Sequence, residues 1–149
     1  MPSCAVIEDF LKQKSLAVVG VSRNPNEFAN GVFRKLKQSG YKVYPVNRDA
    51  VEVEGGLSYA SVRVLPEPVD GVLVMVPAEQ SASVVQDCQA GGVTRVWLHR
   101  GAGQGAVSPE AVKLARQAGM AVVDGACPYM FLDKAVFHRI HRFFTRLDP

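Results

Sequence analysis

Apolar and polar positions along the chain fall into blocks with two different periods, and the blocks recur in a fixed order. Leu16-Ala-Val-Val-Gly20 is a short β-branched run without a polar break, the pattern of a strand covered on both faces. A polar stretch from Ser22 to Glu27 follows, in which Asn24, Pro25 and Glu27 read as cap, first helical residue and capping-box acid. Val32, Phe33 and Leu36 then keep helical spacing as far as Gly40, and Tyr41–Val46 is a second strand. The alternation continues with a strand at Val69–Val76 closed by Pro77, a helix at Ala78–Ala90 and a strand at Val93–Leu98. A helix opened by Ser108-Pro109-Glu110 and a strand at Met120–Val123 complete it. Helices at about Cys4–Lys14 and about Asp133–Arg146 are expected to pack over the faces. Strands this apolar, alternating with helices, predict an α/β fold: a doubly wound, mostly parallel, five-stranded Rossmann-like sheet with helices on both faces. The whole chain, residues 1–149, reads as a single domain.

That fold restricts where a ligand sits, because open α/β sheets bind beyond the carboxyl ends of their strands. The loop after the first strand has the makings of a phosphate cradle. Gly20 permits a tight turn, Val21 and Ser22 follow it, Arg23 adds charge, and Asn24 opens a helix whose N–H groups and dipole favour an anion. After the second strand, Asn47 and Arg48 stand where an NAD site usually carries an acid. A base in that place favours a ligand with a phosphate on its ribose, such as coenzyme A or NADP. Val76 and Pro77 close the third strand at the same edge.

Composition adds limits. Seventeen basic and fourteen acidic side chains give a net charge of +3, without the clustering that nucleic-acid binding needs. No apolar run approaches a membrane span, and Glu8, Asp9 and Lys12 interrupt the apolar N-terminus. Cys4, Cys88 and Cys127 are odd in number and far apart, which fits neither a disulfide framework nor a zinc site. The expectation is a cytoplasmic protein without nucleic-acid or membrane partners.

The run Gly20-Val-Ser-Arg-Asn-Pro25, then Gly40-Tyr-Lys-Val-Tyr-Pro-Val-Asn47, then Val69-Asp70 with Val74-Met-Val-Pro77, resembles the stand-alone CoA-binding proteins. Trp97-Leu-His-Arg-Gly101 and Cys127-Pro128 extend the likeness, which covers roughly residues 10–132. These are Rossmann-type domains similar to the CoA-binding domain of the succinyl-CoA synthetase α subunit. The resemblance implies that Gly20, Val21 and Ser22 lie against the pyrophosphate and that Asn47 and Arg48 approach the adenosine phosphate. Val76 and Pro77 would wall the adenine or pantetheine, and the side chain of Val21 would join them in flanking the adenine. It implies a non-catalytic module binding CoA or acyl-CoA, alone, as a homo-oligomer, or as a separate subunit of an enzyme. This chain departs from the pattern at Arg48, where the family often has proline, and at His99, where it often has glutamine.

Two other readings compete. Gly101-Ala-Gly-Gln-Gly-Ala106 fits G-x-G-x-x-A after a strand, with Asp124 near the distance of a ribose acid, as an NAD(P)-binding redox or sensor domain would have. His99 and Cys127 lie beyond neighbouring strands, and such a pair supports acyl or thiol chemistry in a CoA-dependent enzyme subunit. In the tail, Val136, Ile140 and Phe143 or Phe144 are expected to pack inward from a helix whose arginines are solvated, and His138 and His141, three apart on it, supply only two ligands, a weak metal site.

Overall fold

The computed structural model describes residues 3–101 and 103–132, so the expected helix at about 133–146 lies outside the described residues. In chain order the elements are α1 (Cys4–Leu11), β1 (Ser15–Val19), α2 (Phe28–Gln38), β2 (Lys42–Val46), β3 (Glu52–Val53), β4 (Gly56–Leu57), β5 (Gly71–Val74), α3 (Ala78–Ala90), β6 (Arg95–Leu98), α4 (Pro109–Gln117) and β7 (Ala121–Asp124). Two short 3-10 turns, Val62–Val64 and Pro128–Phe131, join them.

Five strands form one wholly parallel sheet in the order β2-β1-β5-β6-β7. The chain runs outward from β1 to β2 and then returns to the other side of β1 as β5. Strand order therefore reverses between β1 and β5, and the crevice above their carboxyl ends is the place the fold reserves for a ligand.

Side chains alternate across the sheet. Ala17, Val19, Val72, Val74, Val96 and Leu98 face α3 and α4. Leu16, Val18, Leu73, Trp97 and Val123 face α1 and α2. Trp97 is fully buried, meets the Phe10 ring edge-on at 5.3 Å, and donates its indole N–H to the Ala126 carbonyl at 3.1 Å. Truncating such a ring removes about 3–5 kcal/mol.

Three expectations shift. Helix α1 ends at Leu11 because the chain must turn into β1, where the Asp70 carboxylate accepts from the backbone N–H groups of Lys14 and Ser15. Those two bonds hold the Asp70 carboxyl below its usual range. Helix α2 starts at Phe28, three residues beyond the expected Pro25. The Ser22 hydroxyl accepts from Asn24 N–H and the Asn24 side chain accepts from Asn26 N–H, so residues 22–26 form local turns that compete with helix. The β3–β4 hairpin was not expected. Its two-residue turn, Glu54-Gly55, has both residues in the left-handed region, the geometry of a type I′ turn.

Candidate functional site

The turn after β1 is fixed by a close approach of backbone to backbone. Gly20 has φ +114°, and a Cβ there would run into the Met75 carbonyl at the end of β5. Gly20 also donates its N–H to the Val46 carbonyl at 2.9 Å, so one residue ties together the ends of β2, β1 and β5. Any side chain there would pry β1 and β5 apart.

Beyond Gly20 the loop is held from beneath by Asn30, a wholly buried amide on α2. Its Oδ1 accepts from Ser22 N–H at 2.8 Å, and its Nδ2 donates to the Ser22 carbonyl at 2.7 Å and to the Glu54 carboxylate at 2.8 Å. Arg34 neutralises Glu54 at 2.6 Å and donates to the Pro25 carbonyl. Asn47 does similar work from β2. Its Nδ2 donates to the Val21 carbonyl at 2.8 Å, and its Oδ1 accepts from the N–H groups of Asp49 and Ala50.

Two clefts open on either side of a ridge made by Gly20, Met75, Val76 and Pro77, which line both. The first, of about 450 Å³, lies towards β2 and α3 and is lined further by Asn47, Arg48, Ser61 and Gln80. Arg48 stands exposed on it, among the carboxylates of Asp49, Glu79 and Asp87. The second, of about 370 Å³, lies towards β6 and is lined by Ser22, Glu27, Phe28, Ala29, His99, Gly105 and Ala106.

Helix caps separate this edge from the rest of the molecule. Ser3 caps α1 and Ser108 caps α4 through their hydroxyls. The two helices that begin at the ridge, α2 and α3, carry no side-chain cap. Within their first turns the Asn30 and Gln80 N–H groups donate to the Glu27 and Pro77 carbonyls, and the positive dipole ends of both helices lie at the crevice, which suits an anionic group there.

Of the residues the sequence singled out, Gly20, Asn47, Arg48, Val76 and Pro77 meet around the first cleft, and Ser22 lines the second. Val21 differs from expectation. Its side chain is fully buried in the core beneath α2, so only its backbone belongs to the loop. Arg23 and Asn24 line neither cleft: the Arg23 guanidinium donates to the Asp49 carbonyl at 3.0 Å, and Asn24 closes its own turn. Asn30 and Glu54 were missed. The available signals were a polar residue on the apolar face of α2, beside Ala29 and Val32, and the Glu-Gly turn between Val53 and Leu57.

The rival motifs also have places. The glycine loop folds back on itself instead of opening into a helix. Ala106 N–H donates to the His99 carbonyl at 2.8 Å, Arg100 Nε donates to the Gly103 carbonyl, and Ser108 closes the start of α4. Gly105 is required because a Cβ there would strike the His99 carbonyl. A dinucleotide fingerprint would need its glycines to open directly into the helix. His99 lines the second cleft and Cys127 lines neither. Cys88 is buried and its thiol is pushed up to about 12 by that burial, which leaves it unreactive.

A model of the CoA binding domain matches residues 14–133. The chain is 32% identical over 130 residues to the alpha subunit of an ADP-forming acetate–CoA ligase from Pyrococcus furiosus, covering 82% of this chain and 28% of that subunit. It is 30% identical over 127 residues to the uncharacterised protein YneT of Bacillus subtilis, covering 85% of this chain and 91% of that one. Among solved structures, a hypothetical protein from Pyrococcus horikoshii superposes with a TM-score of 0.78 at 30% identity, over 89% of this chain and 90% of that one.

Proposed function

Because the chain belongs to the CoA-binding domain family, we propose that it binds coenzyme A or an acyl-CoA across the Gly20–Pro77 ridge, as a module that does not itself transform the ligand. The observation that carries this reading is the ridge: a turn opened by Gly20, where no side chain fits, flanked by two helices without side-chain caps, at the point where strand order reverses. The pyrophosphate lies over Gly20, Val21 and Ser22, where backbone and helix dipoles meet it. The adenosine half occupies the first cleft, with Arg48 pairing with the ribose 3′-phosphate and Val76 and Pro77 flanking the base. The side chains of Asn47 and Asn30 hold the loops that form the cradle.

Among the described residues lining the two clefts, His99 is the only imidazole and there is no cysteine, so neither cleft holds a Cys–His pair. A role as a separate enzyme subunit is the second reading. It is favoured by the likeness to a ligase subunit of which this chain spans only 28% of the length. Among the described residues no helix is long and apolar enough to cross a membrane, and Cys4, Cys88 and Cys127 are unpaired. Free thiols fit a reducing compartment, and we place the protein in the cytoplasm.

Calorimetric titration with CoA, dephospho-CoA, NAD and NADP at fixed salt tests the reading. Tightest binding of CoA supports it. Tightest binding of NAD or NADP replaces it with a redox or sensor role, and no binding of any of the four removes the ligand site altogether.

A further inference from the structure

One buried side-chain polar atom at this edge has no partner among the described residues. His99 Nε2 is buried and makes no hydrogen bond, on a ring that lines the second cleft. A neutral imidazole carries one donor and one acceptor nitrogen, and leaving a buried one unmatched costs about 1–3 kcal/mol. Burial keeps the ring neutral by holding its pKa below the ordinary value.

The ring is held in place by its backbone and one aromatic neighbour. His99 N–H donates to the Val74 carbonyl at 3.0 Å and its carbonyl accepts from Ala106 N–H at 2.8 Å. The buried Ser81 hydroxyl anchors Ala106 in turn, donating to its carbonyl at 2.6 Å. The Phe28 ring packs tilted against the imidazole, with centroids 5.5 Å apart. Around it the cleft is largely apolar, with Phe28, Ala29, Met75, Val76, Pro77 and Ala106, and the one charged group lining it is the Glu27 carboxylate. A negative ligand group has no counter-charge there, whereas the first cleft offers Arg48.

We propose that His99 recognises the part of the ligand beyond the pyrophosphate, forming a hydrogen bond through Nε2 with an uncharged amide or hydroxyl group of the arm, and so selects ligands that carry such an arm. This inference rests on the CoA reading and adds the group that reads its other half. Adjacent strands lie about 4.8 Å apart, so the ends of β1 and β6, two strands apart, are separated by roughly 10 Å. The pantetheine arm reaches farther than that. The group that meets His99 therefore belongs to the middle of the arm, and the thiol end lies beyond it.

The test compares His99→Leu and His99→Gln with the unaltered protein, titrating each with CoA and with adenosine 3′-phosphate 5′-diphosphate, which is CoA without its arm. His99→Leu is expected to weaken CoA by about tenfold, the worth of one hydrogen bond in a desolvated cleft, and to leave the truncated ligand unaffected. His99→Gln, which keeps a donor and an acceptor near the same place, retains most of the CoA affinity. Unchanged CoA affinity in His99→Leu overturns the proposal, and so does an equal loss for both ligands. If the unaltered protein binds the truncated ligand as tightly as CoA, the arm is not read and the inference falls while the site stands. If it binds neither, the CoA reading fails and this inference with it.

Discussion

On the β2 side of the ridge the cleft is formed by backbone loops stitched together by the half-buried Asn47 amide, with Arg48 and three carboxylates at its rim. On the β6 side it is formed by apolar side chains around one unpartnered imidazole nitrogen. The first arrangement suits a ligand that offers hydroxyl groups to the carboxylates and a phosphate to Arg48, because fixed dipoles and charges meet each without reorganisation. The second suits a neutral chain, for which desolvation costs little and a single placed hydrogen bond gives direction. One ligand spanning both halves must change character at the ridge, from charged to neutral, and coenzyme A does so at its pyrophosphate.

Breaking the ridge should erase the distinction between the halves. Gly20→Val forces a Cβ against the Met75 carbonyl in a backbone conformation that L side chains rarely adopt. A loss of about 3 kcal/mol or more in denaturant unfolding is expected, with binding of CoA and of its truncated form abolished together. A melting curve matching the unaltered protein would show that the β1–β5 crevice is looser than described.

Next in size is Asn30→Ala, which strips two hydrogen bonds from the first loop and a third from Glu54, and leaves the Ser22 N–H and carbonyl unmatched. About 2–3 kcal/mol of stability should be lost. The pyrophosphate half should suffer, so binding of the truncated ligand falls as much as binding of CoA. A variant that keeps both its melting temperature and its affinity would show that the loop holds its shape without Asn30.

Arg48→Ala separates the clefts. CoA should weaken by about tenfold, in keeping with an exposed charge-assisted hydrogen bond, while dephospho-CoA changes little. Equal losses would show that Arg48 does not read the 3′-phosphate.

The smallest effect is one of pH. Because burial holds the His99 pKa below its ordinary value of 6.5, the unfolded chain binds the proton more tightly than the folded one. Stability contributed by the neutral ring is therefore present above 6.5, declines as pH falls towards the lower folded value, and levels off below it. His99→Gln should flatten this part of the pH–stability curve. An identical slope in the variant would assign the titration to another group.

Much of this edge was legible in the sequence, for identifiable reasons. Unbroken β-branched runs specified the strands of a parallel sheet, and Gly20 at the end of the first announced the turn. Val76, Pro77, Asn47 and Arg48 were expected beyond strand ends, and the fold brings them to one cleft. The side chain of Val21 was misjudged because the local pattern does not tell which way a residue just past a strand points. The start of α2 was misplaced because Asn24, Pro25 and Glu27 satisfy a capping pattern while the turns at Ser22 and Asn24 satisfy the same backbone groups locally. Asn30 and Glu54 were illegible for a different reason. Their partners lie 8 and 24 residues away from Asn30, and only the tertiary fold brings the hairpin turn against α2.

The most direct measurement is an experimental structure with CoA bound. The account predicts the pyrophosphate over Gly20 and Ser22, the adenosine in the first cleft within reach of Arg48, and the arm passing His99 Nε2 at hydrogen-bond distance. CoA lying with its adenosine against His99, or bound away from the Gly20–Pro77 ridge, would contradict it.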